Sequence, residues 1–146
     1  MIHEEICTYE VCKLAKEKGF NEKVYHYYQI LNKHYCECQD RVEPYIFSFK
    51  LETDDCYNRY NKGSEDVISA PTQSLLQRWL REEKGVTICV DIFDDGWFFD
   101  ISTFYKQDTG VYEVDIPYKS SNVSPVYDTY ELALEDALKY VLENLV

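Results

Sequence analysis

The chain has 146 residues and a mass of 17.4 kDa, which fits one domain and is long enough to bury a core without disulfide or metal staples. Hydrophobic residues make up 45% of the sequence and aromatic residues 16%, which excludes a disordered tail or a low-complexity linker. The 27 acidic residues outnumber the 15 basic ones and give a formal net charge of -12. Unspecific attraction to nucleic acid or to anionic lipid is therefore disfavoured.

The first residues of the chain carry two acids, Glu4 and Glu5, and no apolar run, so we expect no export signal. No later stretch reaches the roughly 18 consecutive apolar residues of a membrane span. We therefore expect a soluble, cytoplasmic protein without membrane contact, whose cysteines are reduced thiols. These cysteines are Cys7, Cys12, Cys36, Cys38, Cys56 and Cys89.

Local signals in the first third of the chain predict one helix and several strands. Thr8 has a side chain typical of an N-cap, and the residues after it predict a short helix over 9–18. The tyrosine-rich segments 23–30 and 34–38 predict two strands joined by a hairpin, and residues 45–51 predict a third strand.

A polar stretch over residues 52–67 predicts a loop and is the best internal boundary. The predicted organisation is a helix with strands over 1–51, this loop, and a helix-strand-strand-strand-helix unit over 68–146. We expect the parts to form one compact domain.

The second half opens with a helix signal. Ser69 offers a capping hydroxyl ahead of Pro71, and apolar residues then recur at helical spacing up to Gly85. The stripe consists of Leu75, Leu76, Trp79 and Leu80, which makes Trp79 a predicted core residue.

A hairpin is predicted directly after this helix. The β-prone segments 86–93 and 97–104 flank the dipeptide Asp95-Gly96, a strong signal for a two-residue turn. With that turn, the predicted register places Asp91 directly opposite Asp100, on the face away from the apolar residues.

Two further elements complete the predicted fold. Tyr112, Val114 and Ile116 alternate with acidic residues and predict a third strand, and Thr129 caps a closing amphipathic helix. The stripe predicted to lie on the sheet is Leu134, Ala137, Leu138, Val141 and Leu145. The predicted fold class is α+β, an antiparallel sheet with helices packed on one face.

The element order from residue 69 onward resembles the double-stranded-RNA-binding domain in topology alone. That family binds RNA through basic residues at the start of its last helix, whereas Thr129 is followed here by a tyrosine and a glutamate. Residues 86–146 contain 12 acids against three lysines, so the charge has the wrong sign. We therefore expect no direct contact with nucleic acid.

A second resemblance covers nearly the whole chain. It is carried by Lys-Gly-Phe at 18–20, Ile-Ser-Ala-Pro at 68–71, Leu-Gln-Arg-Trp-Leu-Arg-Glu-Glu at 76–83 and Tyr-x-Thr-Tyr-Glu-x-Ala at 127–133. Together these runs resemble the small uncharacterised proteins encoded by gut bacteria and their phages or mobile elements. That family has no assigned activity, so the resemblance implies a lineage and no catalytic residues.

Carboxylates on the predicted sheet form the candidate binding site. They are Asp91, Asp100, Glu113 and Asp115. Clustered carboxylates can raise one another's pKa or hold a divalent ion, but a solvated outer sheet face is the simpler interpretation, because no histidine or lysine accompanies them. Trp97, beside the predicted turn, is a candidate recognition aromatic.

Soft metal ligands are concentrated in one segment. His34, Cys36 and Cys38, with Cys56 and His26 elsewhere, are ligand types that zinc uses. The Cys-x-Cys spacing is not that of a zinc knuckle, and no second cysteine pair follows it. We therefore expect reduced strand cysteines, no metal and no cofactor.

The leading functional hypothesis is a small, acidic, non-enzymatic module that binds another protein, encoded by a phage or mobile element. A nucleic-acid mimic that blocks a host nucleic-acid-binding protein is the first alternative. A carboxylate-based metal-dependent hydrolase is the second. Capture of a partner from host lysate distinguishes these hypotheses.

Overall fold

A computed structural model places residues 3–30, 44–48, 67–94, 96–119 and 126–146, and the structure is described for these residues. The chain divides into two compact units. The first unit is formed by residues 6–71, and the second unit by residues 72–146 together with the first five residues. The α+β class predicted from the sequence is confirmed, with two separate three-stranded antiparallel sheets and three helices in the described part.

The first unit begins with helix α1, Tyr9–Glu17. The hydroxyl of Thr8 accepts a hydrogen bond from the backbone N–H of Val11 at 3.5 Å, which caps one of the unpaired amides of the first turn. Gly19 follows the helix with φ +88°, a left-handed conformation that glycine adopts without strain. The predicted helix over 9–18 is thus confirmed to within a residue.

The sheet of the first unit contains β1, His26–Ile30, β2, Pro44–Ser48, and β3, Val67–Ser69, in the order β2-β1-β3. Because β1 is central, both of its edges are occupied by these two strands. The hairpin strand predicted over 34–38 and most of the polar loop predicted over 52–67 lie outside the described residues.

Helix α1 packs on this sheet through a few specific contacts. The ammonium of Lys16 donates to the backbone carbonyl of Val67 at 3.1 Å, and the hydroxyl of Tyr28 donates to the carbonyl of Cys7 at 2.9 Å. The rings of Tyr9 and Tyr28 meet edge to face, with centroids 5.7 Å apart. The buried side chains of this unit include Val11, Cys12, Ala15, Phe20, Val24 and Ile68.

The second unit begins with helix α2, Gln73–Lys84, and its cap differs from the predicted one. Thr72 caps the helix, with its hydroxyl accepting from the N–H of Leu75 at 3.3 Å. Ser69, the predicted cap, lies in β3 and is 2% exposed. The extended pairing continues to Ala70, whose N–H donates to the carbonyl of His26 at 2.9 Å, so the helix begins later.

Three antiparallel strands follow, in the order β4-β5-β6. They are β4, Val86–Phe93, β5, Gly96–Lys106, and β6, Tyr112–Lys119. Helix α3, Tyr130–Asn144, closes the chain and is capped by Thr129, as predicted. No helix in the described ranges is long and apolar enough to cross a membrane.

The core of the second unit lies on one face of this sheet, here called the inner face. Its strand residues are Val86, Ile88, Phe99 and Ile101, and α2 and α3 cover them with Leu76, Trp79, Leu80, Leu134, Ala137, Leu138, Val141 and Leu142. The prediction that the helices cover one face and that Trp79 is buried is confirmed. Leu142 takes the buried position at the end of α3, where Leu145 was predicted.

The predicted register of the β4–β5 hairpin is wrong by two residues. Phe93 pairs with Gly96, so the two-residue connection comes before Gly96 and includes Asp94, whose φ of +51° suits the turn. A Cβ on Gly96 would lie 2.5 Å from the Cβ of Val126. This glycine is therefore needed for the close approach of a distant segment, and Asp94, a residue type that tolerates positive φ, lies in the turn.

Candidate functional site

The opposite side of the β4–β6 sheet, here called the outer face, carries two of the predicted site residues. Asp91 lies opposite Phe98, and Asp100 lies opposite Cys89 on one side and Lys119 on the other. The predicted pairing of Asp91 with Asp100 is therefore wrong. A shift by two residues conserves the face of each side chain, because side chains alternate with a period of two. Both aspartates remain on the outer face.

Asp100 is the more shielded of the two outer-face aspartates. Its Oδ1 atom is screened from solvent and receives no hydrogen bond from a described residue, whereas the side chain of Asp91 is exposed. The Oδ1 atom of Asp91 accepts from the N–H of Ile92 at 2.7 Å, within its own strand.

A bulge separates the other two predicted site residues from this pair. Between Ile101 and Thr103 of β5, strand β6 contains an extra residue, so Asp115 pairs with Thr103 and Glu113 with Tyr105. Cross-strand partners share a face, which places Glu113 and Asp115 on the side of Ile101. The predicted cluster of four carboxylates is not formed, because two point to each face.

The apolar side chains of β6 lie largely in solvent. Tyr112 is 58% exposed, Val114 61% and Ile116 48%; their alternation with acidic residues predicted a third strand, which the structure contains as β6. The ring of Tyr112 contacts Phe104 at 6.1 Å between centroids. Pro117 is the sequence signal from which the bulge or the edge position of β6 could have been predicted, since proline inside a strand marks an edge or a bulge.

Trp97 contacts other residues of the second unit through its backbone and its ring. Its backbone exchanges two hydrogen bonds of 2.8 Å with Tyr127, and its ring meets Tyr130 edge to face at 5.6 Å. The side chain is half-buried on the inner side of the sheet, away from Asp91 and Asp100. The structure thus separates it from the outer face.

A group of tyrosines lies between the inner face and α3. The hydroxyl of Tyr127 donates to the carboxylate of Asp136, and the ring of Tyr118 lies 4.3 Å from that of Tyr140. Burial, followed by the hydrogen bond to Asp136, raises the pKa of Tyr127 well above its usual value. Burial, followed by the charge of Asp136, also raises the pKa of Tyr118. These phenols stay protonated at neutral pH.

A cleft of about 430 Å³ in the second unit was not predicted from the sequence. Its lining residues are His3, Glu4, Glu5, Gln73, Ser74, Gln77, Tyr130, Glu131 and Leu134. The backbone N–H of Gln73 donates to the carbonyl of Glu5 at 2.9 Å, and Ser74 donates to the carboxylate of Glu4. Only the fold brings these three segments together, so no local pattern could have indicated the cleft.

The described ranges contain no group of three or more His, Cys, Asp or Glu side chains arranged to hold a metal ion. The weak candidates His34, Cys36 and Cys38 lie outside these ranges, as does Cys56. Cys7 and Cys12 are buried, with the thiol of Cys12 donating to the carbonyl of Cys7 at 3.4 Å, whereas Cys89 is exposed.

Comparison of the chain with protein-family models, with curated proteins and with solved structures returned no match.

Proposed function

We propose that the protein acts by binding another protein, and that β6 forms the centre of its contact surface. One observation carries the proposal: three large apolar side chains of an edge strand, Tyr112, Val114 and Ile116, are about half exposed or more. Contiguous apolar surface of this kind is unfavourable in water and is typical of a contact site. Val111, at 60% exposure, extends the surface.

The charge around this strand favours a partner with basic residues. Glu113 and Asp115 are exposed on β6, and residues 86–146 hold 12 acids against three lysines. Opposite charge steers association and selects the partner more than it adds affinity. A polar rim around a less polar centre is the usual composition of such an interface.

The two alternative functions, a metal-dependent hydrolase and a nucleic-acid mimic, require different features of the structure. A metal site built from the four predicted carboxylates needs them on one face, and the bulge in β6 separates Asp91 and Asp100 from Glu113 and Asp115. A nucleic-acid mimic requires only the acidic excess, so it is retained as an outcome of the test.

A pull-down with two matched variants tests the proposal. Val114→Ser removes an apolar side chain from the surface, and Leu132→Ser removes one of similar exposure from α3. We expect the wild type and Leu132→Ser to recover the same protein, and Val114→Ser to lose it. Equal recovery by both variants would contradict the proposal, and a partner released by added DNA or RNA would indicate the mimic.

A further inference from the structure

Among the described strands, β6 pairs with β5 on one edge and with no strand on the other. Just beyond the end of β5 and before the start of β6, the N–H of Gln107 donates to the carbonyl of Val111 at 2.8 Å, which continues the strand register and sets the phase of the ladder. Because inward and outward groups alternate along an antiparallel strand, Glu113 directs its backbone groups to β5. The N–H and C=O groups of Tyr112 and Val114 therefore point away from the sheet. They form the open segment 112–114.

The open segment ends at the bulge. The N–H of Ile116 donates to the Oδ1 atom of Asp115 at 2.9 Å, and Pro117 has no N–H to offer. An incoming strand therefore finds two outward donors and two outward acceptors in sequence, at Tyr112 and Val114.

The opposite edge of the same sheet is less accessible. The side chain of Gln77 donates to the carbonyl of Ile88 at 2.9 Å, and the N–H of Ile92 is bound by Asp91. Side chains thus form hydrogen bonds with two backbone groups of β4, which is a common way to protect an edge strand from pairing with another chain. Strand addition is favoured at β6.

The side chains beside the open segment specify what an added strand should carry. Glu113 is held in place because its Oε2 atom accepts from the hydroxyl of Tyr105 and from the amide of Gln107. Neither Glu113 nor Asp115 forms an ion pair with a described residue. A strand lying beside β6 would place alternate residues next to these carboxylates and next to Tyr112 and Val114.

Charge argues against a second copy of the chain as the occupant. Antiparallel pairing of the full segment 112–114 with its own copy, Tyr112 against Val114, sets Glu113 opposite Glu113 of that copy. Like charges directly opposite destabilise a strand pair, and each chain carries a net charge of -12.

We propose that segment 112–114 accepts an extended segment of a partner protein in which lysine or arginine alternates with apolar residues, which adds a fourth strand to the β4–β6 sheet. This inference rests on the proposed protein-binding function and specifies its partner. Backbone hydrogen bonds provide the attachment, and the two rows of side chains provide selectivity.

The inference is tested by titrating the full chain with an eight-residue peptide of alternating valine and lysine, blocked at both ends. One comparison peptide has glutamate in place of lysine, and another carries N-methyl groups on alternate amides. We expect the first peptide to bind more weakly at high salt, because ion pairs are screened. Both comparison peptides should bind at least roughly tenfold more weakly.

Two variants at one position separate backbone from side chain. Val114→Pro removes the outward N–H, which an edge strand tolerates, whereas Val114→Ala keeps it. We expect roughly a tenfold greater loss of peptide affinity for the proline variant. Equal affinity of the two variants, or equal binding of the glutamate peptide, would overturn the inference. The N-methylated peptide provides the same test if Val114→Pro fails to fold.

The pull-down distinguishes failure of this inference from failure of the proposed function. If the natural partner is lost with Val114→Ser and retained with Val114→Pro, strand addition is wrong and the protein-binding surface stands. If both variants retain the partner, both proposals are wrong.

Discussion

Replacing Gly96 by alanine tests why the hairpin turns where it does. The added Cβ would lie 2.5 Å from the Cβ and 2.8 Å from the Cγ1 atom of Val126, and 3.2 Å from the carbonyl oxygen of Tyr127. The first two distances are far inside van der Waals contact, so residues 126 and 127 must move. That movement strains the two 2.8 Å hydrogen bonds between Trp97 and Tyr127.

The size of the effect follows from these contacts. Overpacking costs about 1–3 kcal/mol, and each weakened hydrogen bond costs up to about 1 kcal/mol. Val126 is 51% exposed and is able to yield in part, so we expect Gly96→Ala to lower the free energy of unfolding by about 2 kcal/mol. With a urea slope of about 2 kcal/mol/M, the midpoint falls by about 1 M.

Urea unfolding followed by tryptophan fluorescence measures this change. Both tryptophans of the chain, Trp79 and Trp97, lie in the second unit, so the signal reports the unit that contains the substitution. The matched experiment repeats Gly96→Ala in the presence of Val126→Gly, which removes the two clashing atoms. We expect the cost of Gly96→Ala to drop by about 1–2 kcal/mol in that background.

The outcome of this cycle decides between two accounts of the glycine. If Gly96→Ala costs the same with and without Val126→Gly, the close approach is not the reason for the glycine. The turn would then lie at Asp95-Gly96, as the sequence pattern indicated, because a left-handed glycine is strained by alanine whatever its neighbours are.

Three further predictions concern other parts of the molecule. Gln73 is 5% exposed and donates to the carboxylate of Glu135 at 2.8 Å, so Gln73→Ala should lower the free energy of unfolding by about 1–3 kcal/mol. Gln73→Glu should lower it further at pH 7, and this extra loss should disappear in acid, where a carboxyl is protonated. Urea midpoints at the two pH values measure the difference. The pKa of Tyr127 is higher in the folded state than its unfolded value of 10.0. This difference contributes to the free energy of unfolding below pH 10.0, and the contribution is lost as the pH rises above that value. The stability difference between the wild type and Tyr127→Phe should therefore shrink in alkali, and equal slopes against pH would refute the assignment. Elemental analysis of protein purified without chelator should find well under one zinc per chain, whereas a full equivalent lost in Cys36→Ser would contradict the prediction of no metal.

Local chemistry in the sequence determined the type and limits of most described elements. The caps Thr8 and Thr129 and the stop at Gly85 were predicted because a cap depends only on side chains and backbone within one turn. The inner and outer faces of β4 and β5 were also predicted, since the alternation of side chains survives a register shift of two residues.

Tertiary structure decided the register and the candidate surface. Gly96 allows the close approach of Val126. No local turn rule could predict this contact, because the two residues are far apart in the sequence. The bulge adds one residue to β6, and a shift by one residue reverses the face of every side chain beyond it. It therefore placed the predicted carboxylates on two faces, because pairing between strands depends on the whole sheet and not on the alternation within one strand.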